Sequence, residues 1–173
     1  GEGEVFYKGE RRATEDVFSE LGLDPIKVKL REGLGLMNGT SVMTGIGIVN
    51  TIYTKRLLDW SIKCSSAINE IVEAYDDHLS IELNTSKRHK GQIEIARLMR
   101  EHLTDSSLVR NRDEHLYSGN NTETVFKEKV QEYYSLRCVP QILGPVYDTV
   151  ENVSKVLIEE VNSANDNPII KAQ

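Results

Sequence analysis

VMTGIGIVNTIYTKRLLDWSIKCSSAINEIVEAYDD, residues 42–77, is the stretch whose reading decides the fold. Val42, Ile46, Val49, Tyr53, Leu57, Trp60, Cys64, Ala67, Ile71 and Tyr75 recur in steps of three and four, the period of one helix face. A second apolar set, Ile48, Ile52, Leu58, Ile62, Ile68 and Val72, widens the stripe beyond that of a helix with one solvated side, which predicts burial among several helices. At 1.5 Å per residue such a helix runs to about 50 Å. A compact chain of this size has a radius of gyration of only about 16 Å. The helix is therefore either kinked, with Gly45 and Gly47 as candidates, or part of a body larger than this chain.

Outward from that helix the elements are short. Val5-Phe6-Tyr7, a turn at Lys8-Gly9, and Glu10-Arg11-Arg12 read as a small hairpin. Thr14 as an N-cap and Gly22 as a stop bracket a helix over 15–21. Pro25 opens a further helical reading from Ile26 to about Met37, broken at Asn38-Gly39. Ile93, Ala96, Met99 and Leu103 place an amphipathic helix over 92–103, started at Gly91, and the polar stretch Thr104–Thr124 reads as a long loop. Val146, Val150, Val153, Leu157 and Val161 mark a last long helix, started near Pro145 and stopped at Asn165-Asp166-Asn167-Pro168. The fold class is mainly α: a long-helix bundle with a small N-terminal β-hairpin, read as one piece, 1–173, without an internal domain boundary.

Composition narrows the partners. Among 173 residues, 27 acidic side chains against 21 basic ones leave a net charge of −6, which repels phosphate backbones and anionic lipid. Neither nucleic acid nor a membrane is an expected partner. No apolar run reaches the roughly 20 residues of a spanning helix, and the start lacks the pattern of a signal peptide. Cys64 and Cys138 stand far apart and form no CxxC pair, which fits a reducing cytoplasm.

Several tempting motifs fail on context. Gly45-Ile46-Gly47 resembles half of a dinucleotide fingerprint, yet no strand precedes it, so close helix packing is the better reading. The four histidines, 78, 89, 102 and 115, contain no i, i+4 pair, and Asp76-Asp77 reads as a solvated face, so no metal is expected. Lys87-Arg88-His89-Lys90 is a basic surface turn.

Two segments carry more. In Gln131-Glu132-Tyr133-Tyr134-Ser135-Leu136-Arg137-Cys138, Tyr134 and Arg137 lie three residues apart, on one face of a turn. Arginine offers a planar fork that grips a carboxylate through two parallel bonds, and a neighbouring cation favours the phenolate form of tyrosine. By spacing alone, an exposed salt-bridging Arg and a core Tyr are the better reading. Asn162-Ser163-Ala164-Asn165-Asp166-Asn167-Pro168 offers amides that could orient a polar ligand, or simply ends a helix.

Taken together with Arg31-Glu32-Gly33-Leu34-Gly35-Leu36-Met37-Asn38-Gly39-Thr40, these segments resemble, in order and spacing, the aromatic amino acid ammonia-lyases: histidine, phenylalanine and tyrosine ammonia-lyases and related aminomutases. Gly1-Glu2-Gly3-Glu4 through Tyr7-Lys8-Gly9-Glu10 resembles the stretch that follows the family's prosthetic-group segment. The resemblance implies a helical homotetramer whose sites are each assembled from three subunits around 4-methylideneimidazole-5-one, an electrophile formed from an internal Ala-Ser-Gly. These 173 residues contain no Ala-Ser-Gly, so the resemblance implies an internal fragment, inactive alone.

Residue by residue, Asn38 matches the asparagine near the prosthetic group and the substrate amine. Gln131 and Tyr134 match a glutamine and a tyrosine lining the site. Arg137 matches the arginine that grips the substrate carboxylate, and Asn167 a substrate-contacting asparagine. Asn38 and Tyr134 are thus the expected catalytic residues, and Arg137, Gln131 and Asn167 the expected substrate-binding ones. Lys90 stands where members commonly carry proline, and Tyr133 has no assigned role. Val139-Pro140-Gln141-Ile142-Leu143-Gly144-Pro145 resembles the phenylalanine and tyrosine members more than the histidine ones, whereas Arg137-Cys138 is shared with the latter. The expected reaction is release of ammonia from an aromatic L-amino acid, tyrosine or phenylalanine, to give an α,β-unsaturated acid. Histidine elimination to urocanate, an aminomutase and a non-catalytic helical scaffold are the alternatives. A homo-oligomer and a small amino acid are the expected partners.

Overall fold

A computed structural model describes residues 2–30, 32–117 and 129–164. The described residues divide into two compact units, one within 2–40 and the other within 41–164.

In the first unit, β1 (Glu4–Tyr7) and β2 (Glu10–Ala13) pair antiparallel, with Val5 opposite Arg12 and Tyr7 opposite Glu10. Lys8 and Gly9 both take positive φ, 51° and 86°, the two-residue turn whose twist matches a hairpin. Helix α1 (Thr14–Leu21) follows directly and ends on Gly22 in the left-handed region, where the Leu23 N–H donates to the Phe18 carbonyl. Glu20 accepts from both Lys8 and Arg12 and ties α1 back to the hairpin.

The helix expected over 26–37 is shorter than its sequence pattern. Helix α2 spans Glu32–Asn38 only. Ile26, Val28 and Leu30 are exposed, so no burial offsets the entropy of ordering that stretch as helix. The Glu32 carboxylate accepts the Lys29 N–H at 2.7 Å and sets the start there.

In the second unit, α3 (Ser41–Ile71) is helical through Gly45 and Gly47 without a break, about 46 Å at 1.5 Å per residue. A Cβ on Gly47 would stand 3.1 Å from Leu157, so this glycine serves close packing as its sequence context suggested, whereas Gly45 faces open space. The helix ends short of residue 77. Glu73 takes φ 51°, and Tyr75 is drawn into a parallel bridge with Arg110, whose N–H donates to the Ala74 carbonyl. A 3-10 turn (Asp77–Leu79), α4 (Ile81–Thr85) and α5 (Lys90–His102) follow. Lys90 is the first residue of α5, a position where proline is tolerated, so its departure from the family pattern costs no backbone hydrogen bond.

The stretch after 104 is not all loop: Asp113–Tyr117 form a π-helical turn, and residues 118–128 lie outside the described residues. After the single turn α6 (Tyr134–Arg137), helix α7 (Val139–Val161) starts six residues before Pro145. Pro145 sits inside it, although its missing N–H leaves the Gln141 carbonyl without a helical donor. Packing against α5 overrides that loss, because Val139, Pro140 and Gly144 are all buried. The helix stops where the Asn162 and Ser163 side chains bond the Ile158 and Glu159 carbonyls.

Leu58, Ile62, Leu79, Ile95, Met99 and Val139 form the core of this unit, between α3, α5 and α7. The buried face of α3 is Leu58, Ile62, Ser66 and Asn69, not the main stripe. Val42, Ile46, Val49, Tyr53, Leu57 and Trp60 are exposed. The expected burial of both apolar sets therefore fails within this chain, because α5 and α7 cover one side of α3 only.

Candidate functional site

Tyr134 and Arg137 occupy the two ends of the single helical turn α6, closed by bonds from the Arg137 and Cys138 N–H groups to the Tyr133 and Tyr134 carbonyls. The i, i+3 spacing sets the guanidinium over the phenol, 4.4 Å from carbon Cζ to the ring centroid. Tyr134 is 72% exposed and is no core tyrosine, and Arg137 makes no salt bridge among the described residues. Its Nε is buried without a hydrogen-bond partner. Its two terminal nitrogens have no hydrogen-bond partner among the described residues and are the donors left for an anion.

Gln131 and Arg137 line one cavity of about 390 Å³, together with Asp77, His78, Arg112 and Glu132. The sequence reading missed those four. Glu132, nearly fully buried, accepts the Tyr75 N–H at 3.0 Å and pairs with Lys129. Arg112 grips the Asp77 carboxylate at 2.8 and 3.3 Å, stacks 4.2 Å above the buried Tyr75 ring and donates to the Val130 carbonyl. Asp77 is therefore paired rather than a plain solvated charge. Gln131 thus sits in a segment clamped on both sides.

His78 is held by its backbone. Its carbonyl accepts from Asn84, whose own amide oxygen accepts from Gln92. Both ring nitrogens are buried and unpartnered. Burial pushes the imidazole pKa down from 6.5, against the opposing pull of Asp77 and Glu132. Above pH 6.5 His78 is neutral in folded and unfolded chains alike, so it adds no pH dependence there. Below 6.5 the unfolded chain takes up the proton first, and stability falls as pH falls towards the lowered folded value. His78→Leu is expected to lie within about 1 kcal/mol of wild type at neutral pH, since an apolar side chain replaces orphaned polar atoms. It should lose less stability than wild type between about pH 7.5 and about pH 5.5, as read from urea midpoints. Equal losses in both would show that His78 is not the source.

Asn38 is the exposed last residue of α2, in the first unit, and its side chain has no partner among the described residues. Asn167 lies outside the described residues. Tyr133 is 82% exposed. The structure therefore brings Gln131, Tyr134 and Arg137 together, and adds His78 and Glu132 to their surroundings.

Comparison with known proteins gives one answer. The chain is 38% identical over 173 residues to a probable histidine ammonia-lyase of Thermoplasma volcanium, covering all of this chain and 32% of that protein. Tyrosine 2,3-aminomutase of Myxococcus fulvus is also 38% identical, over 176 residues, covering 98% of this chain and 34% of the relative. The chain spans about a third of the length of the curated relatives it matches. Among solved structures, Pantoea agglomerans phenylalanine aminomutase superposes with a TM-score of 0.83 at 34% identity, over 99% of this chain and 34% of that one. With the aromatic amino acid lyase family model matching residues 1–173, the chain belongs to that family.

Proposed function

We propose that this chain supplies the carboxylate-gripping part of an enzyme that eliminates ammonia from L-tyrosine or L-phenylalanine, leaving an α,β-unsaturated acid. The observation that carries the reading is the guanidinium of Arg137, unpaired among the described residues, beside Tyr134 and sharing a cavity with Gln131. A β-proton is barely acidic and ammonia leaves poorly, so the substrate must be held in a fixed pose. Arg137 anchors its carboxylate through two parallel N–H bonds, Gln131 contributes an amide beside it, and Tyr134 closes that flank with its phenol. Asn38 offers a free amide suited to a polar group brought from outside this chain, and Asn167 is assigned to the substrate by resemblance.

These 173 residues contain no Ala-Ser-Gly from which 4-methylideneimidazole-5-one is made. In the whole enzyme that group, when bound, supplies the electron-withdrawing ring that turns ammonia into a leaving group, with Asn38 as its neighbour. The chain alone is accordingly inert. The exposed apolar stripes of α3 and α7, among them Ile46, Leu57, Trp60, Val156 and Ile158, are the faces through which a homo-oligomer assembles, a tetramer by family resemblance. No helix among the described residues is long and apolar enough to cross a membrane. Cys64 and Cys138 are both free thiols, which suits a reducing cytoplasm.

The test is a chimaera in which residues 1–173 replace the matching third of Pantoea agglomerans phenylalanine aminomutase. With L-phenylalanine or L-tyrosine it should release cinnamate or coumarate, followed by ultraviolet absorbance and chromatography. Urocanate from L-histidine alone would move the substrate to histidine. A β-amino acid as main product would make the reaction a mutase. A folded, assembled chimaera with no product from any of the three would favour a scaffold.

A further inference from the structure

The cavity beside Arg137 holds more charge than one free guanidinium. Asp77 and Glu132 both line it, as do Arg112 and Arg137. A buried carboxylate draws in whatever cation it can reach, because an unpaired charge in that setting is costly. Arg137 should therefore be captured by the buried one, Glu132, more strongly than by Asp77, whose side chain is 48% exposed. It is not, because each carboxylate is already taken. Arg112 holds Asp77 by a forked contact. Lys129 holds Glu132, with Nζ 3.0 Å from Oε1 and 3.1 Å from Oε2, while the Tyr75 N–H bonds Oε1 from the other side. The Glu132 side chain is 3% exposed, and that of Lys129 is 39% exposed. The lysine thus reaches from the surface to a carboxylate that has no contact with water to spare.

We propose that Lys129 is a positioning residue that keeps Arg137 free for its ligand, by satisfying the buried Glu132 carboxylate with which Arg137 shares a cavity. The inference rests on the reading of Arg137 as the carboxylate grip and adds a residue three positions upstream of Glu132 to it. Without Lys129, Glu132 becomes an internal competitor for the guanidinium and mimics the carboxylate the site is built to take. The role is electrostatic, so it disappears when Glu132 is made neutral. A merely structural lysine would show no such dependence.

The experiment follows the Arg137 Nε–H signal by nuclear magnetic resonance in the 173-residue chain, assigned by its loss in Arg137→Lys. Cinnamate is then titrated, with cinnamamide as the uncharged control. In Lys129→Met the Arg137 signal should move downfield and exchange more slowly with water. Cinnamate should bind about tenfold more weakly, the worth of roughly one charge-assisted hydrogen bond. Lys129→Met combined with Glu132→Gln should restore both readings. Lys129→Gln serves if the methionine variant fails to melt cooperatively. An Arg137 signal that does not respond to loss of Lys129, or a double variant that restores nothing, overturns the proposal. Wild-type chain that responds to cinnamate and cinnamamide alike overturns the carboxylate reading itself, and the Arg137 signal in Lys129→Met still decides the charge partition.

Discussion

Gly91→Ala is expected to destabilise the second unit by about 3 kcal/mol or more, although alanine is the better helix former by about 1 kcal/mol. Helices α5 and α7 cross where Gly91 faces Gly144, and a Cβ on Gly91 would stand 2.1 Å from the Gly144 carbonyl oxygen and 2.8 Å from its carbon. The obstacle is backbone, which no rotamer change can clear, so the helices must separate. Separation loosens Ile95, Met99 and Val139, which form the core beside the crossing. Gly144→Ala meets the Gln92 backbone nitrogen at 2.6 Å and should act in the same direction. Gly45→Ala is the control: nothing lies within 4 Å, so helix propensity alone acts and the variant should gain about 0.5–1 kcal/mol. Urea denaturation followed by circular dichroism gives the sign directly. A Gly91→Ala variant as stable as wild type would show that the two helices do not cross this closely.

That crossing was not legible in the sequence. Gly91 reads there as a helix start and Gly144 as part of the run before Pro145, and only the paired approach gives either its purpose. The 42–77 stretch shows both the reach and the limit of periodicity. It identified the longest helix, because three-and-four spacing reports which residues avoid water somewhere. It did not identify the core face, since Leu58 and Ile62 are buried beside Ser66 and Asn69 while Leu57 and Trp60 are exposed. Period cannot say which face this chain's own helices cover. The hairpin was legible in full, as Lys8-Gly9 dictates its turn locally. Residues 26–30 were misread because an apolar pattern without anything to pack against does not make a helix.

The same contrast holds at the site. Tyr134 and Arg137 were readable because a single helical turn puts residues three apart on one side, and the cation does sit over the ring. His78 and Arg112 were not, since they reach the cavity from turns 53 and 19 residues before Gln131 and meet it only through tertiary folding. Glu132 left a faint signal: an acidic residue enclosed by Gln131 and Tyr133 in a segment otherwise assigned to ligand contacts. Lys129 is within reach of it by spacing, but its other partner is the backbone N–H of Tyr75, 57 positions away, which no spacing rule foresees.

Arg137→Lys, introduced into the chimaera with phenylalanine aminomutase flanks, is expected to lower kcat/KM about a hundredfold, or roughly 2.7 kcal/mol of transition-state binding. Lysine keeps the charge and loses the planar fork, so the substrate carboxylate is held at one point rather than two and can swing. A swinging substrate loses the pose that elimination requires, so kcat should fall along with a rise in KM. The fold should survive, because Arg137 makes no ion pair among the described residues and the turn closes through backbone bonds alone. A melt matching wild type would establish that the loss lies in the site. The stacked pair adds a second expectation: Tyr134→Phe preserves the ring beneath the guanidinium and should leave KM closer to wild type than Arg137→Lys does. Steady-state kinetics of both variants on L-phenylalanine decide between grip and bystander. Unchanged kinetics for Arg137→Lys would remove Arg137 from the carboxylate.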